Sequence, residues 1–374
     1  MPDPIRFGCV GGFLGAGKTT ALAAAARELQ ARGQTVGLVA NDQGKDLVDT
    51  AVFRGLGVPA GEVSGGCFCC RFDDLLAEAD RILAAHPVDV LLAEAVGSCT
   101  DLVATVYRPL RRFFPGRFEL LPFSVLIEPG RVEEMSRPDK GVPADVAYIF
   151  ERQLAEADLL VLTKADLVPD AERPDVRRSI ESLGRGVPVI ETSAASGEGM
   201  ASWIDRLLGR TPLADHGLEI DYDAYARGEA ALAWLNAAVE VRAAGPVSPR
   251  ATGEALLEAI RDSARRAGLF VPHAKVLVAT ARGSARLAVT RASDPPRWEG
   301  NPDLPPESAV TTIVNARAVA EPDAFRALVE EAILAAGRAA GAGFAIERMD
   351  CFSPARPVPR HRLAGPSSLD ARGD

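Results

Sequence analysis

Histidine and long apolar runs are scarce in this sequence of 374 residues, and its 42 lysines and arginines are outnumbered by 51 acidic residues. It has four histidines, no two of them close together, which excludes a histidine-rich metal store. No apolar run reaches the roughly 18–20 residues that a helix needs to cross a bilayer. The formal net charge of −9 argues against nucleic acid or an anionic membrane as the main partner.

Cysteine is also sparse, and its distribution is uneven. Of six cysteines, three fall within the four residues Cys67–Cys70, which is not the spacing of a disulfide framework. The chain starts with a short strand-like run, Ile5–Val10, where a signal peptide would have a longer apolar segment. We therefore expect a cytoplasmic protein, in which clustered cysteines bind metal or carry out redox chemistry.

Apolar runs alternate with helical segments over residues 1–211, which predicts an α/β domain with a mostly parallel sheet. Most runs are nearly continuous, as expected for strands buried on both faces. The predicted strands are Ile5–Val10, Thr35–Ala40, Val88–Glu94, Phe123–Ile127, Asp158–Thr163 and Val187–Thr192. The predicted helices include Thr19–Arg32, Asp73–Ala85 and Asp175–Leu183.

A second domain is predicted after a linker. Residues 212–228 combine acidic and turn-forming residues, which is typical of a linker. Residues 229–352 predict a smaller α+β domain, ferredoxin-like with an extra strand. Residues 353–374 are rich in proline, arginine and serine, which predicts a disordered tail.

The strongest motif is a glycine-rich loop between the first strand and an alanine-rich helix. Residues 12–19, GFLGAGKT, fit G-x-x-x-x-G-K-[ST] at every fixed position. Glycines let successive backbone N–H groups point at phosphate oxygens, and the following helix presents its positive end to them. We expect Lys18 to reach the β- and γ-phosphates and Thr19 to give a hydroxyl to Mg²⁺. The nucleotide-binding residues predicted here are Gly12, Gly15, Ala16, Gly17, Lys18, Thr19 and Thr20.

A second motif indicates the base. The strand Asp158–Thr163 runs into Thr163-Lys164-Ala165-Asp166. The Asp166 carboxylate can accept two hydrogen bonds from N1–H and the 2-amino group of guanine, a pair that adenine lacks. The stem of Lys164 can pack along the base. A later strand leads to Ser193-Ala194, whose backbone is expected to contact guanine O6, so the pattern favours GTP over ATP.

An acidic residue at a strand end is the expected partner of the magnesium ion. Glu94 ends the strand Val88–Glu94 and is expected to bind Mg²⁺ directly or through water. Gly97 follows three residues later and leaves a backbone N–H free to meet the γ-phosphate.

The cysteine cluster follows two glycines that permit a tight turn. In Gly65-Gly66-Cys67-Phe68-Cys69-Cys70, three thiols can converge on one soft or borderline cation such as Zn²⁺ or Co²⁺. A tetrahedral site needs a fourth ligand, and water, Glu94, Asp42 and another cysteine all remain open. Incomplete coordination suits a site that releases its metal. Cys99, two residues after Gly97, could approach the nucleotide or the metal.

These motifs resemble, in sequence and order, those of the CobW-like GTPases, which are related to the HypB and UreG nickel GTPases. The resemblance covers residues 5–210 and also includes Asn41-Asp42-Gln43-Gly44. It implies a P-loop fold, slow hydrolysis of GTP to GDP with Mg²⁺, and a metallochaperone that delivers Zn²⁺ or Co²⁺. Its client would be a metalloprotein or a cobalamin-related enzyme. The resemblance leaves open whether the protein forms a homo-oligomer.

The resemblance also implies roles for individual residues. Asp42 and Asp49 would lie on switch segments that sense the γ-phosphate, so Asp42 joins Lys18 and Glu94 as a catalytic candidate. GTP would bring the three cysteines together with a switch carboxylate, and hydrolysis would release the metal. Two alternatives remain: a phosphotransferase acting on a small or corrinoid-related molecule, and a GTP-gated chaperone for a cobalamin enzyme with structural cysteines.

Overall fold

The computed structural model describes residues 4–44, 53, 55–136, 141–184, 186–209, 213 and 218–363. The chain forms two compact units, which are described separately. The first contains the described parts of 1–137, 144–226 and 357–374, and the second those of 138–143 and 227–356. Asp49, part of the predicted linker and residues 364–374 of the predicted tail lie outside the described residues.

An eight-stranded sheet forms the centre of the first unit. Its strands are β1 Ile5–Gly11, β2 Val36–Asp42, β3 Ala60–Ser64, β4 Val90–Glu94, β5 Phe118–Leu120, β6 Ser124–Ile127, β7 Leu159–Leu162 and β8 Val189–Glu191. Their order is β3-β2-β4-β1-β6-β7-β8, with β5 also paired to β1. The pairings are parallel, which confirms the predicted α/β fold class.

The helices up to residue 230 are α1 Lys18–Ala31, α2 Phe72–Ala85, α3 Arg108–Phe113, α4 Pro129–Ser136, α5 Ala144–Ala155, α6 Arg173–Leu183, α7 Met200–Leu208 and α8 Tyr222–Ala230. Alanine-rich α1 forms readily because alanine has the highest helix propensity. Its buried side chains pack in one core with strand residues such as Leu38 and with Trp203 of the helix α7. In the part of the chain that is described, no helix has the length and apolar character needed to span a membrane.

Two strands of the first sheet have no counterpart among the predicted ones. β3 reads AGEVS and β5 reads FEL, and neither contains an apolar run long enough to indicate a strand. Both depend on pairing with longer neighbours, β2 and β1 respectively.

The second unit is an antiparallel sheet with two helices. Its strands are β9 Leu232–Val247, β10 His273–Thr280, β11 Gly283–Val289, β12 Arg297–Glu299, β13 Glu307–Val319 and β14 Gly343–Phe352. Its helices are α9 Pro249–Arg266 and α10 Pro322–Ala340. The sheet order is β12-β11-β10-β13-β9-β14. Without β11 and β12, this is the order of a ferredoxin-like βαββαβ unit, so two strands are added where one was expected.

Two segments differ from the predicted linker and tail. The helix α8 occupies the end of the predicted linker. Residues 357–363, predicted to be disordered, instead belong to the first unit. The Leu363 N–H donates to the Ala104 carbonyl at 2.9 Å, and Arg108 Nη1 donates to the Leu363 carbonyl at 2.7 Å. Composition predicts disorder for a segment with few apolar residues, but this segment is ordered by hydrogen bonds to an already folded surface.

Candidate functional site

The loop between β1 and α1 has the backbone of a phosphate cradle. Gly12, Gly15 and Gly17 have φ angles of 125°, 82° and 81°, which residues with a Cβ rarely adopt. A Cβ at Gly12 would lie 2.2 Å from the carbonyl oxygen of Leu126. Only glycine therefore fits this position, and the loop can expose backbone N–H groups to an anion.

Lys18 and Thr19 begin α1, and both are buried. Nζ of Lys18 donates to the carbonyl oxygen of Gly12 at 2.8 Å, which keeps the ammonium group at the loop. Oγ1 of Thr19 donates to Oε1 of Glu94, the last residue of β4, at 3.0 Å. A buried hydroxyl in contact with a buried carboxylate offers the oxygen ligands that Mg²⁺ prefers. The pair therefore fits a magnesium ion.

The segment predicted to read the base contacts the phosphate loop. Oγ1 of Thr163 donates to the Ala16 carbonyl at 2.8 Å, and Nζ of Lys164 donates to the Gly15 carbonyl at 3.1 Å. Lys164 has a positive φ of 54°. Asp166 is exposed beside it, so its carboxylate is accessible to a ligand.

The second segment predicted to contact the base lies next to the first. The Ala165 N–H donates to the Thr192 carbonyl at 3.0 Å. Ser193 is buried, and its Oγ accepts from the Ser196 N–H at 3.1 Å, whereas Ala194 is half-buried. The ends of β7 and β8 thus bring together both segments that are predicted to contact the base.

The loop after β4 connects Glu94 to Cys99 and packs against the phosphate loop. A Cβ at Gly97 would lie 2.6 Å from Cδ2 of Leu14, so glycine permits this close approach. Nε2 of Gln153 on α5 donates to the carbonyls of Gly97 at 3.1 Å and Cys99 at 2.9 Å. One amide group therefore fixes both ends of the Gly97–Cys99 turn.

Four cysteine sulfurs lie together at the end of this loop. The Sγ–Sγ distances are 2.7 Å for Cys67–Cys69, 3.4 Å for Cys67–Cys70, 3.7 Å for Cys69–Cys70 and 3.8 Å for Cys69–Cys99. The sulfurs of Cys67, Cys69 and Cys99 all lie within 4.8 Å of one another. These three residues are buried, and Cys70 is half-buried. The structure thus adds Cys99 to the predicted three-thiol cluster.

The thiols of the cluster differ in acidity. Hydrogen bonds with Cys67 and Cys69 lower the pKa of Cys99 to about 7. The hydrogen bond with Cys67 raises the pKa of Cys69 well above its usual value and that of Cys70 to about 11. Cys99 therefore loses its proton more readily than Cys69 or Cys70, and the deprotonated thiolate is the form that binds metals.

Asn41, near the end of β2, holds the cysteine loop. Its Nδ2 donates to the carbonyls of Val63 at 2.8 Å and Gly66 at 2.7 Å, and its Oδ1 accepts from the Phe68 N–H at 2.9 Å. Asn41 is buried, so one side chain bonds two backbone groups of this loop and one at the end of β3. In the sequence, Asn41 is notable only as part of the segment Asn41–Gly44 that resembles the CobW-like GTPases, and that resemblance predicts no role for it.

Asp42, predicted as a catalytic residue, ends β2. Its Oδ1 accepts from the Gly44 N–H at 3.0 Å. In the sheet it lies opposite Ser64, which directly precedes the cysteine loop. Asp42 is thus beside that loop, and its carboxylate accepts a hydrogen bond from a residue only two positions further along the chain.

The residues after Cys99 are held by a buried carboxyl group. Glu156 accepts hydrogen bonds from Thr100 Oγ1 at 2.9 Å and from the N–H groups of Asp101 at 3.0 Å and Val103 at 3.2 Å. Burial, followed by the negative charge of Asp101, raises the pKa of Glu156 to about 8. The Cys99 loop is therefore fixed by polar contacts on both of its sides.

Residues Pro357–Leu363, here called the cover segment, lie over the cysteine cluster. The Val358 N–H donates to Sγ of Cys70 at 3.3 Å, and the Arg360 N–H donates to the Cys69 carbonyl at 2.8 Å. No pattern in the sequence indicates these contacts, because they join residues far apart in the chain.

An ion pair anchors the cover segment. Nε of Arg362 donates to Oδ2 of Asp101 at 2.7 Å, and the hydroxyl of Tyr222 donates to the same oxygen at 2.6 Å. Asp101 is 2% exposed and has a positive φ of 69°, a conformation that aspartate tolerates better than most residues. The anchor thus joins the cover segment to the loop that carries Cys99.

Comparison with known proteins finds similarity to a family of nucleotide-binding domains over residues 7–191. Residues 7–191 match the family model described as CobW/HypB/UreG, nucleotide-binding domain. A zinc chaperone CobW from Sinorhizobium sp is 30% identical over 211 residues, which is 50% of this chain and 58% of that protein. A hydrogenase maturation factor HypB from Azotobacter chroococcum is 30% identical over 193 residues, 51% of this chain and 55% of that protein.

A further relative is matched over most of its length. It is a urease accessory protein UreG from Natronomonas pharaonis, 29% identical over 212 residues, which is 53% of this chain and 92% of that protein. By contrast, the chain spans little more than half the length of the CobW and HypB relatives.

Proposed function

We propose that this chain, whose residues 7–191 match the family model CobW/HypB/UreG, nucleotide-binding domain, is a GTP-dependent metallochaperone of that family. It binds a transition metal at the cysteine cluster and releases the metal when the nucleotide changes. One observation carries the proposal: the loop after β4 begins at Glu94, which contacts Thr19, and reaches Cys99 within the thiol cluster.

GTP and magnesium are the ligands that the first half of the site supports. Lys18 and the glycines of the phosphate loop would hold the phosphates, and Asp166 would select guanine. Thr19 and Glu94 would hold Mg²⁺, which supplies positive charge to the β- and γ-phosphates when it is bound. The same residues support slow hydrolysis of GTP, with Lys18 stabilising the charge that develops on the phosphate oxygens.

Coupling between the two sites has a physical route. Gly97 packs against Leu14 of the phosphate loop, and Gln153 ties Gly97 to Cys99. A γ-phosphate that shifts Gly97 would therefore also shift Cys99. Loops that contact a γ-phosphate and its Mg²⁺ commonly rearrange after hydrolysis.

The cargo is proposed to be Zn²⁺ or Co²⁺. Thiolates suit such soft or borderline ions, and one relative is named a zinc chaperone. The client would be a metal-requiring enzyme in the cytoplasm, reached through protein contact and without nucleic acid or membrane.

Metal titration in three states tests the proposal. Zinc and cobalt affinities are measured for the full chain without nucleotide, with GDP and with a non-hydrolysable GTP analogue. Tight binding that requires the analogue supports the proposal, provided that Cys67→Ser and Cys69→Ser abolish it and Cys351→Ser, in the second unit, does not. Affinity that is the same in all three states contradicts it.

The same preparations separate the alternatives. A small molecule that becomes phosphorylated during incubation with GTP would identify a phosphotransferase. Nucleotide-dependent capture of a corrinoid enzyme that survives loss of both cysteines would identify a chaperone with structural thiols.

A further inference from the structure

We propose that Cys99 is the fourth metal ligand, which completes a closed site of four cysteine sulfurs with Cys67, Cys69 and Cys70. This inference rests on the proposed function, because it concerns the same metal site. Three of the ligands lie on one loop after β3, whereas Cys99 lies on the loop after β4. Two separate segments of the chain would therefore hold one ion.

Several sulfur–sulfur distances suit tetrahedral coordination, whereas the sulfurs of Cys70 and Cys99 do not lie within 4.8 Å of each other and would have to approach as the ion enters. With zinc–sulfur bonds of about 2.3 Å, the corners of a tetrahedron are about 3.8 Å apart. Cys69 lies 3.8 Å from Cys99 and 3.7 Å from Cys70, and Cys67 lies 3.4 Å from Cys70. The pair Cys67–Cys69, at 2.7 Å, would have to separate as the ion enters.

Cys9 provides a contrast with Cys99, because both side chains are buried. Cys9 lies within β1 and packs in the core like an apolar residue, a common role for free cysteine. Cys99 instead lies in a loop, with its sulfur next to another sulfur and its carbonyl fixed by Gln153. The adjoining Thr100 N–H donates to the hydroxyl of Tyr225 at 3.3 Å. The loop thus presents Cys99 to the cluster in a defined position.

Four thiolates around a divalent ion carry a net charge of −2, which a buried site must offset. The Val358 N–H, which already donates to Sγ of Cys70 at 3.3 Å, offsets part of this charge. Each thiol would lose its proton to solvent on binding, and no electron is transferred, so the step needs no oxidant.

A four-sulfur site also narrows the choice of cargo. Tetrahedral sulfur coordination is typical of zinc, and divalent zinc binds a given site more tightly than cobalt. We therefore infer that zinc is the preferred ion. The site is complete without water or a carboxylate from Asp42 or Glu94.

X-ray absorption at the zinc edge tests the ligand count on the unmodified full chain. The zinc-loaded protein with the GTP analogue should show four sulfur neighbours. Three sulfurs with one oxygen or nitrogen neighbour would overturn the inference. This measurement does not depend on whether any variant folds.

A cysteine variant provides the second test. In Cys99→Ser, the sulfur-to-cobalt charge-transfer band of the Co²⁺-loaded protein should fall by about a quarter, since intensity follows the number of thiolates. Loss of residues outside the ligand shell costs about 10- to 100-fold in metal affinity, so loss of a ligand should lower zinc affinity at least tenfold. Cys9→Ser, equally buried, should change neither quantity.

The outcomes distinguish the two proposals. If the unmodified protein binds no metal, the proposed function and the four-sulfur site both fail. If it binds metal in a nucleotide-dependent manner and Cys99→Ser has the same band intensity and zinc affinity, only the role of Cys99 is refuted.

Discussion

At the residue scale, the proposed choice of base rests on Asp166, an exposed carboxylate two residues after Lys164, which contacts the phosphate loop. Asp166→Asn would place an amide NH₂ where guanine presents N–H donors, so one accepted hydrogen bond is lost. Hydrogen bonds to charged groups contribute about 1.5–3 kcal/mol. We expect GTP affinity to fall about 10- to 100-fold with little change for ATP, measured by equilibrium titration.

Asp170→Asn is the matched control for this variant. The Asp170 side chain is 97% exposed and makes only a long ion pair with Arg173, at 3.5 Å. Nucleotide affinity should therefore stay the same. An equal loss of GTP and ATP affinity in Asp166→Asn would contradict the guanine assignment.

At the scale of elements, the turn that carries Cys67–Cys70 depends on Asn41. Asn41→Ala leaves two backbone groups of the turn and one at the end of β3 without their partner, and each unsatisfied buried group costs about 1–3 kcal/mol. We expect weaker zinc binding by at least about tenfold and a lower free energy of unfolding. Metal titration and denaturant unfolding measure the two effects.

Asn41→Asp sharpens the test, because it keeps the oxygen that accepts from Phe68 and loses both donors. It should weaken zinc binding as much as Asn41→Ala, since a carboxylate would face the carbonyls of Val63 and Gly66. Asn301→Ala, at an exposed position of the second unit, should have no effect. Full zinc affinity in both Asn41 variants would show that the turn forms without this residue.

The cover segment is the second element with a testable role. Arg362→Ala removes the partner of buried Asp101 and should loosen the segment over the cysteines. Loss of a charged hydrogen bond of about 1.5–3 kcal/mol corresponds to zinc release faster by about tenfold or more. Transfer of zinc to a competing chelator, followed over time, measures this rate.

Arg360→Ala is the control within the same segment. Arg360 pairs with Asp73 at 3.2 Å, and both side chains are more than 60% exposed, so the pair contributes little. Its release rate should match that of the unmodified protein. Equal rates in Arg362→Ala would mean that the segment does not limit release.

The sequence predicts elements that depend on neighbouring residues, but it does not predict contacts between residues that are far apart in the chain. The strands and the phosphate loop follow from continuous apolar runs and from glycine spacing, both properties of short windows. Cys99 reaches Cys69 only because β4 and β3 flank β2 in the sheet, and the sequence left the fourth ligand open. The cover segment has no local signal, because its order comes from residues that lie hundreds of positions earlier.

At the scale of the whole molecule, GTP and zinc must influence each other equally. If the GTP analogue raises zinc affinity by some factor, zinc raises affinity for the analogue by the same factor. Coupling of this kind is usually about 5- to 150-fold. We expect matching factors from two titrations, one of zinc at saturating analogue and one of analogue at saturating zinc.

GDP provides the control for this comparison. Zinc should leave GDP affinity nearly unchanged, because the coupling is proposed to act through the γ-phosphate. If zinc shifts GDP and the analogue alike, the metal site senses only whether a nucleotide is bound, and hydrolysis would not release the cargo.

Because the chain is synthesised from its N-terminus, the cysteines of the cluster are made before the cover segment. Val358 is translated 288 residues after Cys70, whose sulfur it contacts. At about 5–20 residues per second, the thiols leave the ribosome roughly 15–60 s before their cover. During that interval the nascent cysteines meet cellular metals and oxidants without the Val358 N–H. A metal that reaches a new chain during that interval would meet an open site, whereas later exchange would take place beneath the segment.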